Sequence, residues 1–165
     1  TVDEAQDFVE AANRHRLAHA GVMVEVPSAA LLSGQILAHA TFASVGTNDL
    51  TQYAMAADRQ LSALAELADP WQPAVLHLVA ATCRGGELQG RPVGVCGEAA
   101  ADPALAVVLV GMGVGSLSMT AAALGDVAAM LSRVRLDEAE RLARLALGAA
   151  TAADARAIVL RELEG

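Results

Sequence analysis

Four short apolar runs, separated by stretches with helical periodicity, constrain the fold of this chain more than any other feature. The runs span residues 22–26, 42–46, 93–96 and 116–119, and each ends at or just before a glycine, a proline or a polar residue. Both faces of the first run are largely apolar, which is typical of a parallel strand covered on both sides. Strands that alternate with helices form βαβ units with right-handed crossovers. The sequence therefore predicts an α/β fold with four parallel strands.

Three of these runs finish in side chains that can take part in chemistry. Glu25 comes at the end of the first run, Asn48 and Asp49 follow the second, and Cys96 closes the third. In parallel α/β sheets, binding sites form at the carboxyl ends of the strands. We therefore expect these four residues to lie at one edge of the sheet.

The two carboxylates suggest a metal site. On adjacent parallel strands, Glu25 and Asp49 would lie about 5 Å apart in the hydrogen-bonding direction, and they would repel each other unless a cation lay between them. Mg²⁺ is often held by one or two carboxylates together with water and substrate oxygens. The alternatives are that Asp49 only caps a helix and that Glu25 only forms a surface salt bridge.

The other candidates also have ordinary structural explanations. Asn48 is of a residue type favoured in turns, and a cysteine such as Cys96 is more often a small buried apolar side chain than an acid or a nucleophile. Arg59 can pair with Asp58 or lie in solvent. Cys83, inside a helical segment, is expected in the core. The residue types alone leave these alternatives open.

Charge and composition exclude several classes of function. The 165 residues carry a net charge of −8, and all 11 basic residues are arginine, so the dense positive surface that binds nucleic acid is absent. Two cysteines without a disulfide pattern fit a reducing compartment, and we expect a cytoplasmic protein. The uncharged stretch 103–125 is long enough to cross a bilayer. Glycines at positions 111, 113 and 115 interrupt it, which favours helix, turn, strand and helix over a membrane span.

Start signals predict where several helices begin. Capping boxes start the first helix at Thr1 and the last two helices at Asp137 and Thr151. Residues 28–40 are expected to form one continuous helix. The helix after the second strand is expected to begin at a side-chain cap, either Thr47 or the next residue, and to end near residues 58–59.

A further helix is expected from Pro73, with a stop at the glycine pair Gly85 and Gly86. Glycine is the poorest helix former after proline, so two in succession favour a helix end. The helix predicted over 104–110 then follows the third strand.

Four motifs give the sequence a specific resemblance to a known family. They are residues 21–30 (GVMVEVPSAA), 44–53 (SVGTNDLTQY), 56–59 (AADR) and 94–99 (GVCGEA), in the family's order and at compatible spacing. In this combination the sequence resembles the phosphoenolpyruvate-binding barrel of Enzyme I, the phosphoenolpyruvate-protein phosphotransferase of the bacterial sugar phosphotransferase system. The resemblance implies a (β/α)₈ TIM barrel of the phosphoenolpyruvate/pyruvate type, of which this chain supplies the later half, four parallel strands with their helices.

The resemblance implies a role for each candidate residue. Glu25 and Asp49 match the family's magnesium ligands, so Mg²⁺ is the implied cofactor. Asn48 and Arg59 match residues that hold the substrate phosphate, and Asp49 belongs to the same substrate-binding set. Cys96 matches the acid that protonates the pyruvate enolate at carbon 3.

The resemblance also implies a larger protein. Residues 1–165 correspond to the C-terminal part of the barrel domain, while the family's further substrate-binding arginines lie on earlier strands and its phosphohistidine lies on a separate N-terminal domain. The whole enzyme would move the phosphoryl group of phosphoenolpyruvate to that histidine and on to the histidine-containing phosphocarrier protein in sugar uptake. As part of that enzyme, the chain is expected to bind phosphoenolpyruvate or pyruvate. We expect it to be inactive when isolated, and to contact neither nucleic acid nor membrane.

Half of a barrel leaves two strand edges with unpaired backbone groups, one at the first strand and one at the fourth. Bare edges of this kind favour pairing with a second copy of the chain. Enzyme I also dimerises through this region, so the resemblance leads to the same expectation of a homodimer.

Three alternative functions remain at this stage. Pyruvate phosphate dikinase and phosphoenolpyruvate synthase are similar at the first two motifs, although Tyr53 followed by the 56–59 motif favours Enzyme I. A stand-alone half-barrel would sense phosphoenolpyruvate or pyruvate without turnover. A carbon–carbon lyase of the related pyruvate-enolate barrels is the third alternative.

Overall fold

A four-stranded sheet forms the centre of the computed structural model, which describes residues 1–58, 61, 64 and 66–164. Its strands are β1 Gly21–Val24, β2 Phe42–Gly46, β3 Val93–Cys96 and β4 Ser116–Ser118. All neighbouring pairs are parallel, and the strands lie side by side in chain order. The predicted α/β fold with four parallel strands is confirmed, and four successive units of a (β/α)₈ barrel have this arrangement.

Helices precede the sheet, connect its strands and follow it. They are α1 Val2–Arg14, α2 Pro27–Leu31, α3 Ser33–Leu37, α4 Thr47–Met55, α5 Pro73–Gln89, α6 Glu98–Ala101, α7 Pro103–Gly111, α8 Leu124–Leu131, α9 Leu136–Leu147 and α10 Ala152–Glu164. A short 3₁₀ turn over Ala121–Ala123 comes before α8.

One face of the sheet is covered by helices and forms the core. Val24, Val45 and Val95 lie next to one another across β1, β2 and β3, and all three are fully buried. Leu105 and Leu109 of α7 belong to the same buried cluster. Burying a side chain of this size contributes roughly 1.5–3 kcal/mol, so this row anchors the sheet to its helices.

The opposite face of the sheet is open. Met23, Ser44, Gly94 and Ser116 form one row across the four strands, and successive residues of a strand point to opposite faces. This row therefore lies on the side away from the buried valines. Met23 is 49% exposed, and Phe42 on the same face is 42% exposed. In a closed barrel, this face would line the interior.

The uncharged stretch 103–125 folds as predicted, into α7, a turn, β4 and the start of α8. The α7 residues from Ala104 to Leu109 are buried, so the apolar character of this stretch is explained by the core. Among the described residues, no helix combines the length and the apolarity needed to cross a bilayer.

The prediction of one helix over 28–40 was wrong. The segment forms α2 and α3, which are separated at Leu32 (φ −98°, ψ 13°). The break lets the buried Ser33 hydroxyl donate a hydrogen bond to the carbonyl of Ala81 on α5, at 3.3 Å. A tertiary contact therefore interrupts a segment that is helical by its own pattern.

The predicted helix stop at Gly85 and Gly86 was also wrong, because α5 runs through both glycines. A Cβ at Gly85 would collide with the hydroxyl of Ser33, and one at Gly86 would lie 2.6 Å from a methyl of Val93. The two glycines thus allow close packing of α5 against α3 and β3. The helix ends instead at Gly90, whose φ of +61° is the left-handed conformation that favours glycine.

Side-chain caps were predicted correctly at two helix starts and wrongly at two others. Thr1 forms the expected capping box of α1, and the Thr151 hydroxyl accepts from a backbone N–H in the first turn of α10. In contrast, α4 begins after Gly46 and α9 begins after Arg135, and neither start has a side-chain cap. The Asp137 carboxylate instead accepts from Nε of Arg135 at 3.1 Å.

Three elements end earlier than predicted. β1 ends at Val24 rather than residue 26, because Pro27 already opens α2. β4 ends at Ser118 instead of residue 119. α4 ends at Met55, ahead of residues 58–59, because Ala56 takes a left-handed conformation with φ +49°.

Candidate functional site

The carboxyl ends of the strands bring four residues into one row, the edge row of Glu25, Gly46, Cys96 and Ser118. Gly46 pairs with Cys96, and Cys96 pairs with Ser118. Val24 pairs with Val45, so Glu25 follows β1 at the level of Gly46. The edge row stands on the open face of the sheet, two residues beyond the row that contains Met23. The predicted convergence of Glu25 and Cys96 on one edge is therefore observed.

The half-buried Glu25 side chain lies directly over Gly46. A Cβ at Gly46 would be only 2.8 Å from the Glu25 Oε1 atom. Since any side chain at position 46 would displace the carboxylate, close packing against Glu25 explains why β2 ends in a glycine. It leaves room for Glu25 at the start of α4, whose first turn contains Asn48 and Asp49.

Asn48 connects the ends of β2 and β3. Its side-chain Oδ1 accepts a hydrogen bond from the backbone N–H of Glu98 at 3.4 Å. Gly97, with φ +107°, lies against the same amide, and a Cβ there would be 3.0 Å from Asn48 Oδ1 and 3.1 Å from Thr47 Oγ1. Only glycine fits this close approach without strain. The amide is therefore held at the edge row by the segment that follows Cys96.

The Cys96 thiol is partly buried at the end of β3. Its Sγ donates to the carbonyl of Val45 on the neighbouring strand at 3.5 Å, and the Thr47 hydroxyl donates to the Cys96 carbonyl at 3.1 Å. These contacts fix the thiol on the edge row. They also explain why Thr47 does not cap α4, because its hydroxyl is used across the strands.

The second cysteine has a different environment. Cys83 is buried in α5, and this burial raises the pKa of its thiol to about 12. A thiol with so high a pKa stays protonated and is a poor nucleophile at neutral pH. The expectation that Cys83 is a core residue is confirmed.

A cleft of about 980 Å³ opens beside the edge row. Asn48, Gly97 and Ser118 line it near the strand ends, and Asp102 and Arg156 line it further out. A ligand in this cleft would meet amide, hydroxyl, carboxylate and guanidinium groups within one space.

Asp102 holds three separate segments together at the rim of this cleft. Its Oδ1 accepts from the backbone N–H groups of Ala104 and Leu105, which caps α7. Its Oδ2 accepts from Trp71 Nε1 and from an Arg156 nitrogen, both at 3.0 Å. These residues were not predicted from the sequence, where the one available signal is an aspartate directly before a helix-starting proline.

The donor set fits a magnesium ion. Glu25 and Asp49 are both half-buried and belong to neighbouring strand ends, and carboxylate oxygens are the ligands that Mg²⁺ takes from proteins. Within the described ranges, no group of three or more His, Cys, Asp or Glu side chains could hold a metal ion. Arg59, the predicted phosphate-binding arginine, lies outside the described residues.

Comparison with known protein families identifies the fold unit to which this site belongs. The family described as PEP-utilising enzyme, PEP-binding domain, matches residues 2–136. The chain belongs to the PEP-utilising enzyme family. The matched residues include all four strands and the edge row, whereas α10 with Arg156 lies beyond them.

Individual relatives agree with this family membership. The phosphoenolpyruvate-protein phosphotransferase of Streptomyces coelicolor is 49% identical over 163 residues, which is 98% of this chain and 29% of that protein. A multiphosphoryl transfer protein of Rhodobacter capsulatus is 44% identical over 84% of this chain and 17% of its own length. A phosphoenolpyruvate-protein phosphotransferase of Geobacillus stearothermophilus is 38% identical over 86% and 24%. The chain thus spans less than a third of the length of these relatives, and the predicted family resemblance is confirmed.

Proposed function

We propose that this chain is the phosphoenolpyruvate-binding part of a phosphoenolpyruvate-protein phosphotransferase. The observation that carries the proposal is the edge row, which places the Glu25 carboxylate and the Cys96 thiol on one face, with the Asn48 amide joined to the next segment. The relatives that cover most of this chain bear the same activity in their names. Phosphoryl transfer depends mainly on positioning and charge stabilisation, and a rigid polar edge of this kind supplies both.

In this proposal Glu25 and Asp49 would hold Mg²⁺, which when bound neutralises charge on the phosphoryl oxygens. The Asn48 amide and the Arg59 guanidinium would bind phosphate oxygens, the latter through a fork that matches oxyanion geometry. Since α4 begins at Thr47, the first backbone N–H groups of this helix also favour negative charge near Asn48.

Cys96 would supply the proton that completes the reaction. When the P–O bond to the enol oxygen breaks, the phosphoryl group passes to a histidine nitrogen on another domain of the enzyme, and pyruvate enolate remains. The Cys96 S–H bond then breaks, its proton forms a C–H bond at carbon 3, and pyruvate leaves. The resulting thiolate takes up a proton from solvent. General-acid groups contribute roughly 10²–10⁴-fold to such steps.

The proposal extends to the whole protein. The histidine that accepts the phosphoryl group would pass it to the histidine-containing phosphocarrier protein in the cytoplasm for sugar uptake. The open sheet face with Met23 and Phe42, and the outer edges of β1 and β4, support either closure into a full TIM barrel or self-association. We expect a homodimer, so light scattering should give about twice the 16.8 kDa of one chain.

Calorimetry of a full-length enzyme that contains this chain, titrated with phosphoenolpyruvate with and without Mg²⁺, tests the metal and substrate assignment. Glu25→Gln should abolish the Mg²⁺-dependent part of binding, because losing a direct ligand should weaken metal affinity by at least about 100-fold. Asp126→Asn is the matched control, since Asp126 is an exposed acidic residue of α8 and is not part of the edge row. A Glu25→Gln variant with the Mg²⁺ dependence of the wild type would refute the assignment.

A further inference from the structure

Arg156 on α10 brings a positive charge to the cleft beside the edge row. Among the described residues that line this cleft, Arg156 is the only basic residue. Neutral hydrogen-bonding side chains line the same space, namely the Asn48 amide and the hydroxyls of Ser118 and Thr120. Two carboxylates, those of Glu98 and Asp102, line the cleft as well, and Asp102 is already paired with Arg156. A guanidinium beside neutral donors is a combination that recognises oxyanions.

The Arg156 guanidinium is held on two sides. One terminal nitrogen donates to Asp102 Oδ2 at 3.0 Å, and the guanidinium carbon lies 6.0 Å from the centroid of the Trp71 ring, within cation–π range. Both partners are themselves fixed, since Trp71 is fully buried and Asp102 accepts three hydrogen bonds besides the one from Arg156. Arg156 is therefore oriented before any ligand arrives, which lowers the entropy cost of binding.

Part of the guanidinium remains available. The Arg156 side chain is 53% exposed. Within the described part of the chain, Nε and the second terminal nitrogen have no hydrogen-bond partner. An exposed ion pair of this kind contributes little to the stability of the fold. Stability alone therefore does not explain why the Arg156 guanidinium is held in this cleft.

We propose that Arg156 is a preorganised oxyanion-binding residue of this cleft and contacts a carboxylate or phosphate oxygen of the bound ligand. The proposal rests on the proposed function for the identity of that ligand, because phosphoenolpyruvate carries both groups. It adds a contact from α10, which lies beyond the residues 2–136 that match the family. Asp102 acts as a positioning residue that orients the guanidinium.

Trp71 supplies the assay, because it is the single tryptophan of the chain and contacts both Asp102 and Arg156. The wild-type chain is titrated with phosphoenolpyruvate, pyruvate and inorganic phosphate, each with and without Mg²⁺, by tryptophan fluorescence and in parallel by calorimetry. Arg156→Gln should raise the Kd for phosphoenolpyruvate roughly tenfold, as expected for the loss of a hydrogen bond to a charged group. Arg156→Lys should be intermediate, since it keeps the charge and loses the fork.

Comparison of the three ligands shows whether Arg156 contacts the carboxylate or the phosphate. A Kd that rises only for pyruvate and phosphoenolpyruvate assigns the contact to the carboxylate, and one that rises only for inorganic phosphate and phosphoenolpyruvate assigns it to the phosphate. Arg161→Gln, at an exposed arginine of the same helix, is the matched control and should bind like the wild type. Asp102→Asn should also weaken binding, because it removes the carboxylate that orients Arg156. Asparagine caps helices well, so this variant should keep the cap of α7.

Two outcomes separate this inference from the proposed function. If phosphoenolpyruvate binds with Mg²⁺ dependence and Arg156→Gln changes its Kd by less than twofold, the inference is overturned and the proposed function stands. If inorganic phosphate binds in an Arg156-dependent way while phosphoenolpyruvate shows no Mg²⁺-dependent binding, the proposed function fails and the oxyanion site stands. A wild-type chain that binds none of the three ligands also overturns the inference.

Discussion

Replacing Gly97 by alanine should destabilise the protein through a defined local strain. Gly97 has φ +107° and ψ −162°, a region of backbone conformation that is essentially restricted to glycine. A Cβ there would also approach Asn48 Oδ1 at 3.0 Å and Thr47 Oγ1 at 3.1 Å. Both atoms are engaged in hydrogen bonds to the β3 end, so neither can move away without losing one.

The magnitude follows from these two effects. Holding a non-glycine residue in this conformation costs about 1–3 kcal/mol, and losing one of the hydrogen bonds adds about 1 kcal/mol. We therefore expect Gly97→Ala to lower the free energy of unfolding by about 2–4 kcal/mol. For a domain of this size, that corresponds to a melting temperature lower by roughly 5–15 °C. Because Asn48 and Thr47 lie next to the edge row, a shift of their side chains should weaken phosphoenolpyruvate binding as well.

Urea unfolding followed by circular dichroism measures this effect against two matched glycine variants. Gly90→Ala changes a glycine with φ +61° and open space around it, so only the backbone cost of about 1–2 kcal/mol should appear. Gly125→Ala lies in α8 with no neighbour within 4 Å, and it should stabilise the protein by about 0.5–1 kcal/mol. A Gly97→Ala variant that is no less stable than Gly90→Ala would refute the reasoning about close approach.

Three further predictions concern the thiols and the activity. Cys96→Ala, in a full-length enzyme that contains this chain, should still bind phosphoenolpyruvate. Proton exchange at carbon 3 of pyruvate, followed by NMR, should slow by about 100-fold or more. Unchanged exchange would exclude the thiol as the acid. Burial raises the pKa of Cys83 from 9.0 to about 12, so only the unfolded chain loses this proton just above pH 9. The free energy of unfolding should then fall by up to about 1.4 kcal/mol per pH unit between these values, and less steeply in Cys83→Ala. The purified chain should show no phosphoryl transfer from phosphoenolpyruvate, and any measured transfer would contradict the proposed division of the enzyme.

The strands and the edge row were predictable because they depend on local sequence pattern. A run such as 93–96 is apolar on both faces, and the chain must then leave the sheet, so the last side chain necessarily stands at its carboxyl edge. Once the strands are parallel, register alone places Cys96 beside Gly46 and near Glu25. The roles of Glu25, Asn48, Asp49, Arg59 and Cys96 in binding and catalysis stay predictions.

Local patterns in the sequence are thus enough to predict the four strands, the α/β class and the residues at the strand ends, since each follows from a few neighbouring residues. The continuation of α5 through Gly85 could not be predicted in this way, because the need for glycine there comes from Ser33 on another helix. The same holds for the Asp102 cluster, whose partners Trp71 and Arg156 are 31 and 54 residues away in the chain. Contacts between such distant segments depend on how helices pack over the sheet, and no local pattern in a single sequence encodes them.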